Sequence, residues 1–293
     1  MMARSHFYKS DAGRQIVETA YRDILSRWPV ASEQRCIQTR SGETFVLACG
    51  PEYGPALILL HGSVANLASW MGNIETYARH FCCYCVDMIG EPGFSAPVRE
   101  PLDSEAHALW LDDVMDGLGL HAAVFVGLSL GGWLALDYAR RRPDRVSAIA
   151  GIAPAGIGKQ KNILLKALPL LFMGKKGAMK LRDMVLGPQM RQQHERPLVE
   201  RFVAFNALVM DNFRGRIVKI PLLSDEELAG LKMPVLVIAG GRDVLIDSDH
   251  TRTRIETVAP QIRLDYRPEA YHFIPDTAEQ ICFFLEASGA LDE

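Results

Sequence analysis

Three residues of this sequence have the types and surroundings for nucleophilic chemistry. They are Ser129 in Gly127-Leu128-Ser129-Leu130-Gly131-Gly132, Asp243 in Gly240-Gly241-Arg242-Asp243, and His272 after Glu269-Ala270-Tyr271. A serine hydroxyl is a weak nucleophile until a base takes its proton and an acid orients that base, so a serine, a histidine and an acid together point to acyl transfer through a covalent intermediate. The apolar run Ala122-Ala123-Val124-Phe125-Val126 predicts a buried strand, and Trp133-Leu134-Ala135-Leu136-Asp137-Tyr138-Ala139 has helical spacing. Ser129 falls in the sharp turn between them, where Gly127 and Gly131 leave room for neighbouring backbone. The N–H of Leu130, first in the helix, points to where negative charge develops on a carbonyl oxygen under attack.

The acid and the base need strands to carry them. Pro234-Val235-Leu236-Val237-Ile238-Ala239 predicts a buried strand that delivers Asp243 at its C-terminal end, and Ile262-Arg263-Leu264-Asp265-Tyr266 predicts the strand before His272. Asp247 and Asp249 compete with Asp243, but both precede the helical segment Thr251-Arg252-Thr253-Arg254-Ile255 and read as helix caps. Of the remaining histidines, His6, His80, His107, His121, His194 and His250 read as solvated or packed imidazoles. Only His61, at the end of the apolar strand Leu57-Ile58-Leu59-Leu60, shares a motif context with His272.

Ser129, Asp243, His272 is the chain order of the triad in α/β-hydrolases. The sequence resembles that family, in its carboxylesterase and lipase type, from about Ile37 to Leu285. The resemblance implies a nucleophile elbow at Ser129 and an α/β-hydrolase fold: a mostly parallel eight-stranded sheet, helices on both faces and a helical cap insertion. It also implies a serine carboxylesterase that hydrolyses small-molecule esters through an acyl-enzyme, without cofactor or metal. His61-Gly62 resembles the His-Gly pair that family members carry before the second oxyanion-hole donor, which assigns the backbone N–H of Ser63 beside that of Leu130 and leaves His61 shaping the loop. Asp87-Met88-Ile89-Gly90-Glu91-Pro92-Gly93-Phe94-Ser95 resembles the family's Asp…Gly…Gly…Ser turn with one extra residue between the glycines. Glu91 is expected there as a surface or loop-bracing acid. Thioesterase, lactonase, amidase and C–C hydrolase activities use the same triad, and a ligand-binding protein with little turnover is the alternative from another class.

Length and composition fit one enzyme domain. The 293 residues are 48% apolar, enough to bury a sizeable core, and the net charge of −3 lacks the basic stripe of a nucleic-acid binder. No secretory signal is visible at the start, and no apolar run reaches the ~20 residues of a membrane span. A cytoplasmic enzyme is expected, with no nucleic-acid partner and an oligomeric state left open. Of six cysteines, Cys82, Cys83 and Cys85 cluster in a strand-like run without paired C-x-x-C units, and read as small buried hydrophobes rather than a metal site.

Along the chain the predicted strands lie near Cys36-Thr39, Phe45-Ala48, Ala56-Leu60, Tyr84-Asp87, Ala122-Val126, Ala148-Ile152, Val235-Ala239 and Ile262-Tyr266. Predicted helices lie near Leu67-Arg79, Ser104-Leu118, Leu130-Arg142, Asp249-Val258 and Thr277-Ala287. Strands alternating with helices predict a mostly parallel sheet covered on both faces. Ile16, Val17, Ala20, Tyr21, Ile24, Leu25 and Trp28 give residues 11–28 an amphipathic helical pattern that ends at Pro29. The expected organisation is an N-terminal helix packed on the core over 1–30, a core over 31–154 and 234–293, and a helical cap over 155–233. Within the cap, Ile163 to Met173 is apolar on nearly all sides with Lys175, Lys176 and Lys180 close behind. That run reads as pocket lining or as burial against the core, and a lipid-docking helix ranks behind both because Pro169 interrupts it.

Overall fold

The computed structural model describes residues 7–162, 173–187, 197–216 and 218–289. Its centre is a sheet of β1 (Ser32–Thr39), β2 (Gly42–Cys49), β3 (Ala56–Leu60), β4 (Cys82–Val86), β5 (Ala123–Leu128), β6 (Val146–Ile152), β7 (Val235–Gly240) and β8 (Arg263–Arg267), in the order β1-β2-β4-β3-β5-β6-β7-β8. β2 pairs antiparallel with both β1 and β4, and every pair from β4 across to β8 is parallel. The helices are α1 (Asp11–Leu25), α2 (Ile74–Tyr77), α3 (Ala106–Gly117), α4 (Leu130–Arg141), α5 (Gly174–Leu186), α6 (Pro197–Asn212), α7 (Asp225–Ala229), α8 (Ser248–Val258) and α9 (Ala278–Ala287).

The inner strands are unbroken apolar runs because both of their faces are covered. Alternation along each strand divides the core in two: Ile58, Leu60, Phe125 and Val237 join Trp110, Trp133 and Ile255 of α3, α4 and α8. Leu57, Leu59, Val126 and Ile238 join Val17, Tyr21, Ile281 and Leu285 of α1 and α9 on the opposite face. The edge strands differ: β8 carries Arg263, Asp265 and Arg267, and charge on an edge discourages pairing with another chain.

The structure departs from the predicted elements in places. α1 ends at Leu25, three residues before the predicted end, and Ile16 of its apolar pattern is exposed while Val17 and Tyr21 are buried. Its Gly13 sits so close to Asn212 of α6 that a methyl group there would overlap the amide side chain. The predicted helix Leu67-Arg79 divides into a 3₁₀ turn, Leu67–Trp70, and the short α2. Asn66 caps the first by accepting from the Ala68 N–H at 3.2 Å, and Gly72, a poor helix former, lies between the two. The cysteine run forms β4, with Cys83 and Cys85 buried. Residues 163–172 of the apolar run and His194 lie outside the described residues.

Candidate active site

Parallel strands send all their C-terminal ends to one edge of the sheet, and the loops that leave this edge bring residues from distant parts of the chain together. β5 ends at Leu128 and α4 starts at Leu130, so Ser129 alone makes the turn, with φ 47° and ψ −104°. A non-glycine residue in such a conformation costs on the order of 1–3 kcal/mol and persists only where its surroundings hold it. Here the Ser129 N–H donates to the Ile152 carbonyl at 3.0 Å, and the Ser129 carbonyl accepts from the N–H groups of Trp133 and Ala155 at 3.0 and 3.1 Å. The flanking glycines are sterically required: a methyl at Gly127 would overlap Gly131, and one at Gly131 would overlap the Leu60 carbonyl.

Two strands along, β7 ends at Gly240 and the chain turns so that the Asp243 N–H donates back to the Gly240 carbonyl at 3.1 Å. The Arg242 N–H bonds the Ala270 carbonyl at 2.8 Å, tying this turn to the loop after β8 that carries His272. The Asp243 side chain is buried, and both carboxylate oxygens are engaged. Oδ1 accepts from the N–H groups of Leu245 and Ile246 at 2.7 and 3.0 Å, and Oδ2 lies 2.6 Å from His272 Nδ1. The bond engages Nδ1 and leaves Nε2 as the ring nitrogen turned away from the carboxylate. Asp247 instead caps α8, accepting from the His250 N–H at 3.2 Å, and Asp249 pairs with Arg252 and with the Tyr266 hydroxyl. Of the three acids, Asp243 is the one that reaches His272.

On the other side of Ser129, β3 runs into His61-Gly62-Ser63-Val64. A methyl at Gly62 would stand 3.8 Å from Ser129 Cβ, ordinary contact distance, so this loop lies directly beside the elbow. His61 is fully buried and brackets two loops: its Nδ1–H donates to the Gly62 carbonyl at 2.8 Å, and its Nε2 accepts from the Met88 N–H at 2.9 Å. Burial holds its pKa down to about 4, so the ring is neutral and matches this one-donor, one-acceptor arrangement. Among the described residues, the N–H groups of Ser63 and Leu130 meet no protein acceptor, and no hydrogen bond joins Ser129 Oγ to His272.

Two further buried carboxylates support the β3 loop, Asp87 and Glu91; the sequence reading gave Asp87 no such role and expected Glu91 as a surface or loop-bracing acid. Asp87, at the end of β4, accepts from the N–H groups of Leu67 and Phe94 and from the Tyr21 hydroxyl of α1. Burial pushes its pKa up to about 6, against the pull of those donors. Glu91 is buried rather than a surface acid, and its Oε2 accepts from the Val64 N–H at 2.7 Å. Its carboxylate faces Arg216, whose Nε lies 3.5 Å from Oε1. The extra residue between Gly90 and Gly93 was the signal in the sequence, but nothing local to it names Val64 or Arg216 as partners.

Comparison with known proteins agrees with this architecture. A family model described as alpha/beta hydrolase fold matches residues 55–177. The chain is 31% identical over 261 residues to carboxylesterase YbfK of Bacillus subtilis, spanning 87% of this chain and 86% of the relative. The crystal structure of carboxylesterase CesB (YbfK) from the same organism superposes with a TM-score of 0.77 at 29% identity, covering 96% of this chain and 98% of that one. The crystal structure of the B. subtilis naproxen esterase (carboxylesterase NP) gives 0.75 at 29% identity, covering 92% and 94%. With its sheet order, its strained serine turn and a relative of that identity along most of its length, the chain belongs to the α/β-hydrolase family.

Proposed function

We propose that the protein is a serine carboxylesterase working through Ser129, His272 and Asp243. Ser129 Oγ attacks the ester carbonyl while His272 Nε2 takes its proton, and Asp243 holds the imidazole in the tautomer that leaves Nε2 free. The N–H groups of Ser63 and Leu130 receive the oxyanion of the tetrahedral intermediate. His272 then protonates the departing alkoxide, and a water activated by the same nitrogen cleaves the acyl-enzyme, so these steps need neither metal nor cofactor.

The observation that carries this reading is the 2.6 Å bond between His272 Nδ1 and the buried Asp243 carboxylate, on the sheet edge where Ser129 makes its strained turn. Relatives named as carboxylesterases over most of the chain support ester bonds as the substrate class. We read residues 155–233 as a cap over this edge and residues 1–30 as a segment packed on the core. Among the described residues no helix is long and apolar enough to cross a membrane. All six cysteines are free thiols, which supports a reducing, cytoplasmic setting.

Ser129→Ala tests the reading. The variant is expected to melt like the wild type, to lose hydrolysis of an activated ester by several orders of magnitude, and to lose labelling by an active-site fluorophosphonate. Near-wild-type hydrolysis by a folded Ser129→Ala protein would sink it.

A further inference from the structure

We propose that Glu91 is a positioning residue for the oxyanion-binding amides: it holds the Ser63–Val64 peptide from outside the loop and ties it, through Arg216, to the segment after α6. The proposal rests on the carboxylesterase reading, since the direction of the Ser63 N–H matters to the rate only if an oxyanion forms beside Ser129.

Val64 has φ 57°, a left-handed conformation that a β-branched residue does not adopt unaided. Its own loop does not hold it there: His61 brackets the Gly62 carbonyl and Asn66 caps the following turn. The Val64 N–H is instead taken by Glu91, 27 residues along the chain, at 2.7 Å. Because that N–H shares a peptide plane with the Ser63 carbonyl, fixing its direction fixes ψ of Ser63, one bond from the amide assigned to the oxyanion. The acceptor is almost fully desolvated, with a side-chain exposure of 1%; burial pushes the pKa of Glu91 up, against the pull of the Val64 N–H and of Arg216.

A lone buried carboxylate is costly, and Arg216, itself 5% exposed, lies across from it. Its neighbour Gly215 abuts Val64 from the other side: a methyl at Gly215 would come within 2.9 Å of Val64 Cγ2. Arg99 fastens the same two segments together, Nε donating to the Gly90 carbonyl at 3.1 Å and Nη2 to the Arg214 carbonyl at 2.6 Å. Val64 is thus held through its N–H and through its side chain by parts of the chain distant in sequence. If Glu91 is removed, the Val64 peptide is free to relax towards an extended conformation and the Ser63 amide turns with it.

The test measures kcat and KM for p-nitrophenyl butyrate, inhibition by a trifluoromethyl ketone, and the melting temperature, in the full-length wild type and three variants. The ketone forms a hemiketal oxyanion on the serine, so its Ki reports the amides directly, whereas KM for a neutral ester depends on them little. Glu91→Ala is expected to lower kcat about 30-fold with KM within about 2-fold, and to weaken the ketone by a similar factor, below the cost of deleting an oxyanion donor outright. Glu91→Gln is expected to fall between, because its one amide oxygen is contested by the Val64 N–H and Arg216. Adding Arg216→Met to Glu91→Gln frees that oxygen for Val64, and kcat is expected to recover. The proposal is overturned by a folded Glu91→Ala with wild-type kcat, or by a loss of kcat that leaves ketone inhibition unchanged. Should Glu91→Ala fail to fold, a double variant no faster than Glu91→Gln overturns it equally. A wild type inert to ester and ketone alike overturns the carboxylesterase reading; an active wild type beside an unaffected Glu91→Ala overturns this proposal alone.

Discussion

Two buried carboxylates serve the loops on either side of Ser129, and their side chains are held in opposite ways. Asp243 is braced by its own loop, accepting from the N–H groups two and three residues further on, and gives its second oxygen to His272. The Glu91 side chain makes its bonds outside its own loop; it crosses 27 residues of sequence to hold Val64 and faces Arg216, which lies between α6 and α7. The loop after β7 is folded by its own turn, its bonds to the β8 loop and the Asp247 cap, and the backbone of Lys159 and Lys161 pins it at Asp247 and Leu245, while Lys161 Nζ donates to the Asp243 carbonyl at 2.8 Å. The loop after β3 is held from outside, by His61 reaching Met88, by Asp87 under Leu67 and by Glu91 under Val64. In the reading proposed above, Asp243 acts on His272 by direct contact, and Glu91 acts on the oxyanion amides through the Val64 peptide.

The sharpest way to break this comparison is to change the acid that contacts the base directly. Asp243→Asn keeps the size of the side chain and its acceptor oxygen for Leu245 and Ile246, but presents an NH₂ to His272 Nδ1 and so favours the tautomer that cannot accept a proton from Ser129. In serine proteases the corresponding change costs about 10⁴ in kcat, and a loss of that order is expected here with little change in melting temperature. If Asp243→Asn loses less than Glu91→Ala, direct contact with the base does not outweigh positioning from a distance, and the contrast between the two loops fails.

Acid pH separates the two sides by stability rather than rate. His61 is neutral in the folded protein because burial holds its pKa down to about 4, whereas in the unfolded chain it titrates near ~6.5. Its contribution to stability is fully present above pH ~6.5 and is lost as pH falls towards 4, since only the unfolded chain takes up the proton in that window. Asp87, raised to about 6, works in the opposite sense: its penalty on the folded state is relieved as pH falls through 6. Comparing the wild type with His61→Gln removes the Asp87 term, because Asp87 titrates in both. His61→Gln is expected to be less stable at pH 7, and the gap measured by urea unfolding should narrow by about 1–2 kcal/mol at pH 5. A gap that is the same at both pH values would mean that His61 is not held neutral by burial.

What was legible in the sequence follows the same division. β3, β5, β6 and β7 were readable because strands buried on both faces are continuous apolar runs, and Ser129, Asp243 and His272 stood out as candidates because each lies near the glycines or strand ends that place it. The break between Leu67–Trp70 and α2 was not readable from periodicity, which runs on across Gly72. The narrower buried face of α1 was not either, since the burial of Tyr21 is set by the Asp87 carboxylate and by Phe205 of α6, both remote in sequence. Glu91 shows the limit most clearly. An acid in a glycine-rich loop reads as surface or loop-bracing alike, and only the fold brings Val64 and Arg216 to it.

The smallest expected effect comes from Asp247, four residues from Asp243 and on the same loop. Its Oδ1 accepts from the His250 N–H at 3.2 Å at the start of α8, and its backbone carbonyl accepts from the Thr251 N–H at 2.9 Å. Asparagine offers the same side-chain oxygen in the same place and caps helices about as well as aspartate, so Asp247→Asn should leave kcat and KM unchanged and move stability by no more than about 0.5 kcal/mol. What it does remove is a negative charge near the helix N-terminus, a term of a few tenths of a kcal/mol that salt screens. Urea unfolding at low and high salt would therefore show a small deficit that fades as salt rises. The same variant assayed with an activated ester sharpens the contrast on which the acid assignment stands, because Asp243 and Asp247 share a loop and differ in whether they touch His272. If Asp247→Asn is the crippled enzyme while Asp243→Asn stays active and both are folded, the acid has been placed on the wrong residue, although Ser129 and His272 would keep their roles.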